Sequence, residues 1–272
     1  MNLFAIGDLH INHQANLDAL RVLPPHKEDW LLIAGDIGDT FAQIKVGLTL
    51  LAERFEKLFF TPGNHDLWTT PNDPEQSRGV ARYWQIIDLC HSLGIVTPED
   101  PPVQWPSSNP PLWIMPTFTL YDYSFRPDNV PLATAVSWAE SSGVVCTDEI
   151  LLPPNPYPTR QSWCAARCQQ TEEKLAAIQT GKIILLNHYP LHQELAVLPR
   201  IPRFSLWCGT KRTAHWTKNY PIHTAVYGHL HIRSSQQING IRHEEVSLGY
   251  PQNWQQAKGI RPYLRPILTN NT

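Results

Sequence analysis

The sequence predicts an α/β fold, and three observations carry that prediction. Short apolar runs, β-branched or aromatic in part and without alternation, read as strands covered on both faces. Stretches with apolar residues at helical spacing fall between them, so strand and helix take turns along the chain. Finally, each of five apolar runs ends in a turn followed by polar residues able to bind metal.

Taken in order, "NLFAIGDLH" (2–10) gives a strand followed by Asp8 and His10. "WLLIAGDIGD" (30–39) repeats the pattern with Asp36 and Asp39. Residues 40–58 read as a helix, with Ile44, Leu48, Leu51 and Phe55 on its apolar side. "LFFTPGNHD" (58–66) is the third strand, broken by Pro62 and Gly63 before Asn64, His65 and Asp66. Residues 80–94 form a second helix closing on Gly94, and residues 161–181 a third closing on Gly181. "KIILLNHYP" (182–190) supplies Asn187 and His188, and "TAVYGHLH" (224–231) supplies His229 and His231. Ligands of open α/β sheets collect beyond the carboxyl ends of strands, so the five polar clusters can converge.

Residues 97–160 break the rhythm. They hold many of the 25 prolines, in "TPEDPPVQWPSSNPP" and "LLPPNPYPTR", around "LWIMPTFTLYDYSF". Extended, semi-rigid loops suit such flanks. The stretch is expected to be an insert or cap on a single domain spanning 1–272, with one or two strands around Trp113–Phe118. Tyr121, Tyr123 and Phe125 are expected to form its own small core, with stacking on a nucleobase as the alternative.

Bulk properties exclude several classes. An apolar fraction of 42% with 10 Trp, 9 Tyr and 8 Phe argues against disorder as the main state. Lys plus Arg number 22 against 24 Asp plus Glu, which leaves nucleic-acid binding possible but not indicated. No apolar run approaches the ~20 residues of a membrane span. The first strand begins almost at the N-terminus, which predicts no signal peptide. The five cysteines show neither a C-x-x-C pair nor a disulfide framework and are expected to be reduced thiols in a cytoplasmic protein.

Carboxylate, imidazole and amide oxygen without thiolate favour hard or borderline ions such as Mn, Fe, Ni or Zn. So many candidate ligands suit two ions sharing a bridge. The ordered string "GDLH", "GDIGD", "GNHD", "NHYP", "GHLH" resembles the calcineurin-like metallophosphoesterase superfamily, whose pattern is D-x-H, G-D-x-x-D, G-N-H-[DE], an isolated His and G-H-x-H. The motifs span residues 7–231.

That resemblance implies a four-layer α-β-β-α sandwich of two packed mixed sheets with flanking helices. It implies one ion held by Asp8, His10, Asp36 and His231, and a second held by Asp36, Asn64, His188 and His229. Ions roughly 3.5–4 Å apart can hold a hydroxide between them and clamp attacking and leaving oxygens. His65 would face the phosphate as an acid or charge stabiliser, with Asp66 hydrogen-bonded to it. Asp39 is expected to support His10 or a neighbouring ligand. Arg203, Lys211 and Arg212, in the loop 199–213, are candidate substrate contacts.

The implied activity is metal-dependent hydrolysis of a small-molecule phosphate ester, a diester or nucleotide-like compound for preference. "GDIGDT" and "GNHD" depart from the "GDxVDRG" and "GNHE" of protein phosphatases, which disfavours that role. Two alternatives are a scaffold of the same fold without catalysis and a nuclease within a larger assembly. Oligomeric state is left open.

Overall fold

A computed structural model describes residues 1–71, 76–106 and 108–269. In chain order its elements are β1 (Leu3–Ile6), α1 (Gln14–Arg21), β2 (His26–Ile33), α2 (Phe41–Ala52), β3 (Phe55–Phe60), α3 (Gly79–Ser92), β4 (Val103–Gln104) and β5 (Leu112–Pro116). There follow α4 (Ala135–Glu140), α5 (Asp148–Leu151), α6 (Arg160–Ala176), β6 (Lys182–Leu186), α7 (Trp216–Asn219), β7 (Ile222–Tyr227), β8 (Ser235–Ile238), β9 (Ile241–Glu245) and β10 (Arg265–Leu268).

The strands make two mixed sheets, β10-β1-β2-β3 and β4-β5-β6-β7-β9-β8. Parallel strands occupy the middle of each, with antiparallel β10, β4 and β8 at the edges. Alternate side chains of β1, β2 and β3 (Leu3, Ala5, Leu32, Phe59) pack against Ile184, Leu186 and Val226 of the other sheet. The residues between them turn outward onto helices: Leu31, Ile33 and Phe60 join Ile44, Leu48 and Ile86, while Ile183 and Leu185 join Trp163, Cys164 and Leu175. Burial on both faces explains why these strands carry no polar alternation. The result is the expected sandwich of two sheets between helices.

Register positions the functional loops. Ile6, Ile33 and Phe60 stand side by side at the ends of β1, β2 and β3. Asp8, Asp36 and Asn64 therefore emerge as neighbours. Leu186 pairs with Val226 in the second sheet, which brings the residues after β6 and β7 together.

Three expectations change in detail. The helix predicted over 40–58 starts from a Thr40–Gln43 capping box but ends at Ala52, and Phe55 opens β3. A short apolar run fits either period, and pairing of Leu31 with Leu58 and Leu32 with Phe59 decides for strand. The strand predicted near Trp113–Phe118 is β5, an internal strand paired with β6. The region outside the sheets is thus narrower than 97–160 and begins after Pro116. It packs through Tyr121, Tyr123, Ala135 and Ala139 against Tyr189, Leu206 and Trp207. Tyr121, Tyr123 and Phe125 are buried, but in two cores shared with residues outside the stretch rather than in one of its own, Phe125 packing with Leu195, Cys208 and Tyr227. α1, β8 and β9 are elements the sequence does not predict: β8 and β9 carry no apolar run, and α1 offers only Leu17 and Leu20 at helical spacing in eight residues.

Candidate active site

Every predicted cluster lies at the carboxyl end of a parallel strand, and the chain is bent sharply to deliver it. Asp8, His10, Asp36, His229 and His231 adopt positive φ of 52°, 41°, 54°, 70° and 54°. Such non-glycine residues cost on the order of 1–3 kcal/mol each and persist where surrounding structure fixes them. Here the fixing bonds are visible: Asp8 N donates to Gly35 O (2.8 Å), His10 N to Asp36 O (3.0 Å), and His229 N to the Asp8 carboxylate (3.0 Å). The glycines ahead of the ligands serve close approach. A Cβ on Gly63 would stand 2.1 Å from Asp36 Oδ1, and one on Gly228 2.2 Å from Asp8 Oδ2.

Two groups of donor atoms result. In the first, His231 Nε2 lies 3.2 Å from Asp8 Oδ1 and 3.2 Å from His10 Nε2. In the second, Asn64 Oδ1 lies 3.0 Å from His188 Nε2 and 3.1 Å from His229 Nδ1, with Asp36 Oδ2 3.5 Å from His188 Nε2. Asp36 groups compactly with His188 and His229 on one side and with His10 and His65 on the other. Asp36 thus lies within reach of His10, of the first group, and of His188 and His229, of the second.

The chemistry of these atoms fits cations. His188 Nδ1 is 2.7 Å from Ala34 O and so carries the proton. Burial lowers the His188 pKa, so Nε2 keeps a lone pair. Asn64 donates its amide nitrogen to Asp148 Oδ1 (3.0 Å), which turns its oxygen toward that lone pair. Two acceptors 3.0 Å apart repel unless a positive ion lies beside them. Burial drives His10 and His229 well below the ordinary imidazole value, helped by charge on neighbouring histidines. Burial pushes Asp36 well above the usual carboxylate range, reinforced by Asp8 and Asp66. For Asp8 burial acts the same way, but the His231 hydrogen bond and neighbouring imidazoles outweigh it and lower the pKa. Buried carboxylates crowded in this way call for a cation.

His65 Nδ1 is paired with Asp39 Oδ1 at 2.9 Å, and its ring lies against Trp68 with centroids 3.7 Å apart. Here the structure corrects two expectations. Asp66 does not touch His65. It is fully buried and accepts from the backbone N–H groups of Asp36 (2.7 Å), Ile37 (2.9 Å), Gly38 (3.3 Å) and Gly63 (2.9 Å). A short 3₁₀ turn begins at His65, and successive residues on such a turn point in different directions. Asp66 therefore staples the Asn64 loop to the Asp36 loop, and burial pushes its pKa up to about 6 despite those bonds. Asp39, expected to support His10 or a neighbouring ligand, instead holds His65 and accepts from Asn12 Nδ2 (2.9 Å).

The predicted substrate cations have protein partners. Arg203 donates to Trp138 O and to Ser141 Oγ (2.8 Å), with its guanidinium over the Trp138 ring. Lys211 pairs with Asp128 at 2.8 Å and Arg212 with Asp122 at 3.4 Å. They clamp the 199–213 loop to the segment after β5. Asn187 closes a turn through Tyr189 O (2.8 Å) and Thr119 Oγ1 (2.9 Å).

Sequence reasoning missed four residues at the centre. Glu245 Oε1 accepts from His231 N (3.1 Å), and Ser247 Oγ donates to Asp8 Oδ2 (2.8 Å). The Tyr250 ring packs on His10 and His231, with centroids 4.7 and 4.8 Å away. Asp148 arrives from α5. A pair of acids closing the strand "IRHEE" was the available signal for Glu245; the others had none.

Comparison with known proteins agrees with this geometry. The family model for calcineurin-like phosphoesterases matches residues 1–233. The chain is 44% identical over 271 residues to the [acyl-carrier-protein] phosphodiesterase PptH of Mycobacterium tuberculosis, covering 98% of this chain and 83% of that protein. A crystal structure of phosphopantetheinyl hydrolase (PptH) from the same organism superposes with a TM-score of 0.92 at 42% identity, covering 99% of this chain and 96% of that one. Among the described residues no helix is long and apolar enough to cross a membrane. The chain belongs to the calcineurin-like phosphoesterase family, as a metal-dependent hydrolase of phosphate esters.

Proposed function

We propose that this chain hydrolyses the phosphodiester joining a phosphopantetheine arm to a serine of an acyl carrier protein. One observation carries the reading: end-to-end similarity, at 42% identity, to a phosphopantetheinyl hydrolase. Asp8, His10, Asp36 and His231 would hold one ion, and Asp36, Asn64, His188 and His229 the other, with Mn, Fe, Ni and Zn all suited to such donors. Bound there, the pair would supply Lewis acidity and an activated water.

The protein's own part is positioning and proton transfer. Asp39 fixes the His65 ring through Nδ1, which leaves Nε2 to face the ester. A proton given from Nε2 to the serine oxygen accompanies cleavage of the serine O–P bond, as water adds to phosphorus. The products are a free serine hydroxyl and a phosphomonoester. Neutral Asn64 holds its ion without adding negative charge beside an anionic substrate. The five free thiols suit a reducing cytoplasm, where carrier proteins work.

The test is Mn-dependent release of phosphopantetheine from a loaded carrier protein, read by mass spectrometry beside hydrolysis of an aryl phosphodiester. Cleavage of both is expected. Turnover of the aryl diester with the carrier protein intact would overturn the substrate and leave the phosphodiesterase. Silence on both, with metal bound, would overturn the activity.

A further inference from the structure

One buried carboxylate reaches the centre from outside the strand-end loops. Asp148 opens α5 and is fully buried. Its Oδ1 accepts from Asn64 Nδ2 (3.0 Å) and from Trp68 Nε1 (2.7 Å), both within the "GNHDLW" segment. Its Oδ2 is buried without a hydrogen-bond partner among the described residues. α5 is itself fixed from several directions. Thr69 N donates to Leu151 O (2.8 Å), and Glu149 accepts from Tyr123 Oη (2.8 Å), Trp207 Nε1 (2.7 Å) and Arg160 Nη1 (2.8 Å).

We infer that Asp148 is a positioning residue that orders both the Asn64 amide and the His65 imidazole. An asparagine amide is nearly symmetric in shape, and its reversed rotamer would present N–H donors to His188, His229 and any cation between them. A carboxylate can only accept, so Asp148 selects the rotamer with the oxygen inward. The same oxygen tethers the Trp68 indole, whose ring lies against His65. The segment after β5 thereby completes the centre, from 84 residues beyond Asn64. This rests on the reading that Asn64 holds the second ion and that His65 serves the leaving group.

The test measures Mn²⁺ affinity and stoichiometry, with kcat and KM on an aryl phosphodiester, in full-length wild type and four variants. Asp148→Leu should lose affinity for the second ion roughly ten- to hundredfold, the scale for removing a partner that orients a ligand. Asp148→Asn retains an acceptor oxygen and should recover much of that affinity. Trp68→Phe keeps a ring against His65 but loses the tether; it should bind both ions, hold KM and lose roughly tenfold in kcat. A folded Asp148→Leu with wild-type affinity for both ions would overturn the inference, as would Trp68→Phe with wild-type kcat. Should Asp148→Leu fail to fold, the Trp68→Phe kinetics decide. The fourth variant, Asn64→Leu, should lose the second ion. Retention there would overturn the ligand assignment, and the inference with it.

Discussion

The strand-end loops and the segment between β5 and α6 reach the same centre, and they are built on different rules. In the loops, ligands follow buried strands directly, glycines open the space, and backbone strain is held by short-range bonds. Gly63 and Asp36 touch because β2 and β3 end in register, whereas Gly228 and Asp8 meet across the two sheets, which Gly7 N joins by donating to Val246 O. The segment after β5 has only short helices and contributes through Asp148, whose setting depends on Arg160, Glu149, Tyr123 and Trp207. The difference teaches that the donor side chains are delivered by the sheets, while the orientation of Asn64 and His65 also depends on what covers them.

Variants can break this comparison at either end. The largest expected effect is at His65: His65→Ala should lower kcat by about 10²–10⁴-fold, the range for a general acid. Asp39→Asn should lower it roughly tenfold through the loosened ring. Comparable kcat for Asp39→Asn and wild type would remove Asp39 from its place. Next is Gly63→Ala, which forces a methyl onto Asp36 Oδ1. A loss of about 3 kcal/mol in denaturant unfolding is expected, together with weaker Mn²⁺ binding; normal binding would contradict the close-approach account.

Tyr123→Phe probes the other region. It removes a hydroxyl that donates to Glu149 and accepts from Arg160 Nη1 (2.7 Å). Stability should fall by about 2 kcal/mol with both ions retained, and loss of an ion would erase the distinction between the regions. The smallest effect belongs to the sheet that carries them. His243 on β9 is fully buried, and both ring nitrogens lack hydrogen-bond partners among the described residues. Burial, helped by His192, pushes its pKa down to about 4. Between the ordinary value near 6.5 and that one, the unfolded chain binds a proton that the folded chain refuses, so stability falls as pH falls. From pH 7 to 5.5 the loss is about 1 kcal/mol, and His243→Leu should remove that part of the slope.

The same contrast explains what could be read in advance. Asp8, Asp36, Asn64, His188, His229 and His231 were legible because each sits within a few residues of a strand whose apolar run is unmistakable. Asp66 was not, since adjacency to His65 in sequence says nothing about direction on a 3₁₀ turn. Asp39 bonds His65 from 26 residues away, a distance no local motif encodes. Asp148 lay in a Pro-rich stretch with no periodicity, and Ser247 and Tyr250 followed the last motif. Arg203, Lys211 and Arg212 read as free cations only because Trp138, Asp128 and Asp122 could not be seen beside them.

The most direct measurement is the number of Mn²⁺ ions bound per chain in wild type, Asp36→Asn and His65→Ala, taken with turnover of a phosphodiester. Two ions should be found in wild type and in His65→Ala, with turnover slow in the latter. Asp36→Asn should lose metal, because its carboxylate stands between both groups of donor atoms. Equal metal loss in the two variants, or no metal in wild type, would contradict the separation of ion-holding from proton-handling residues.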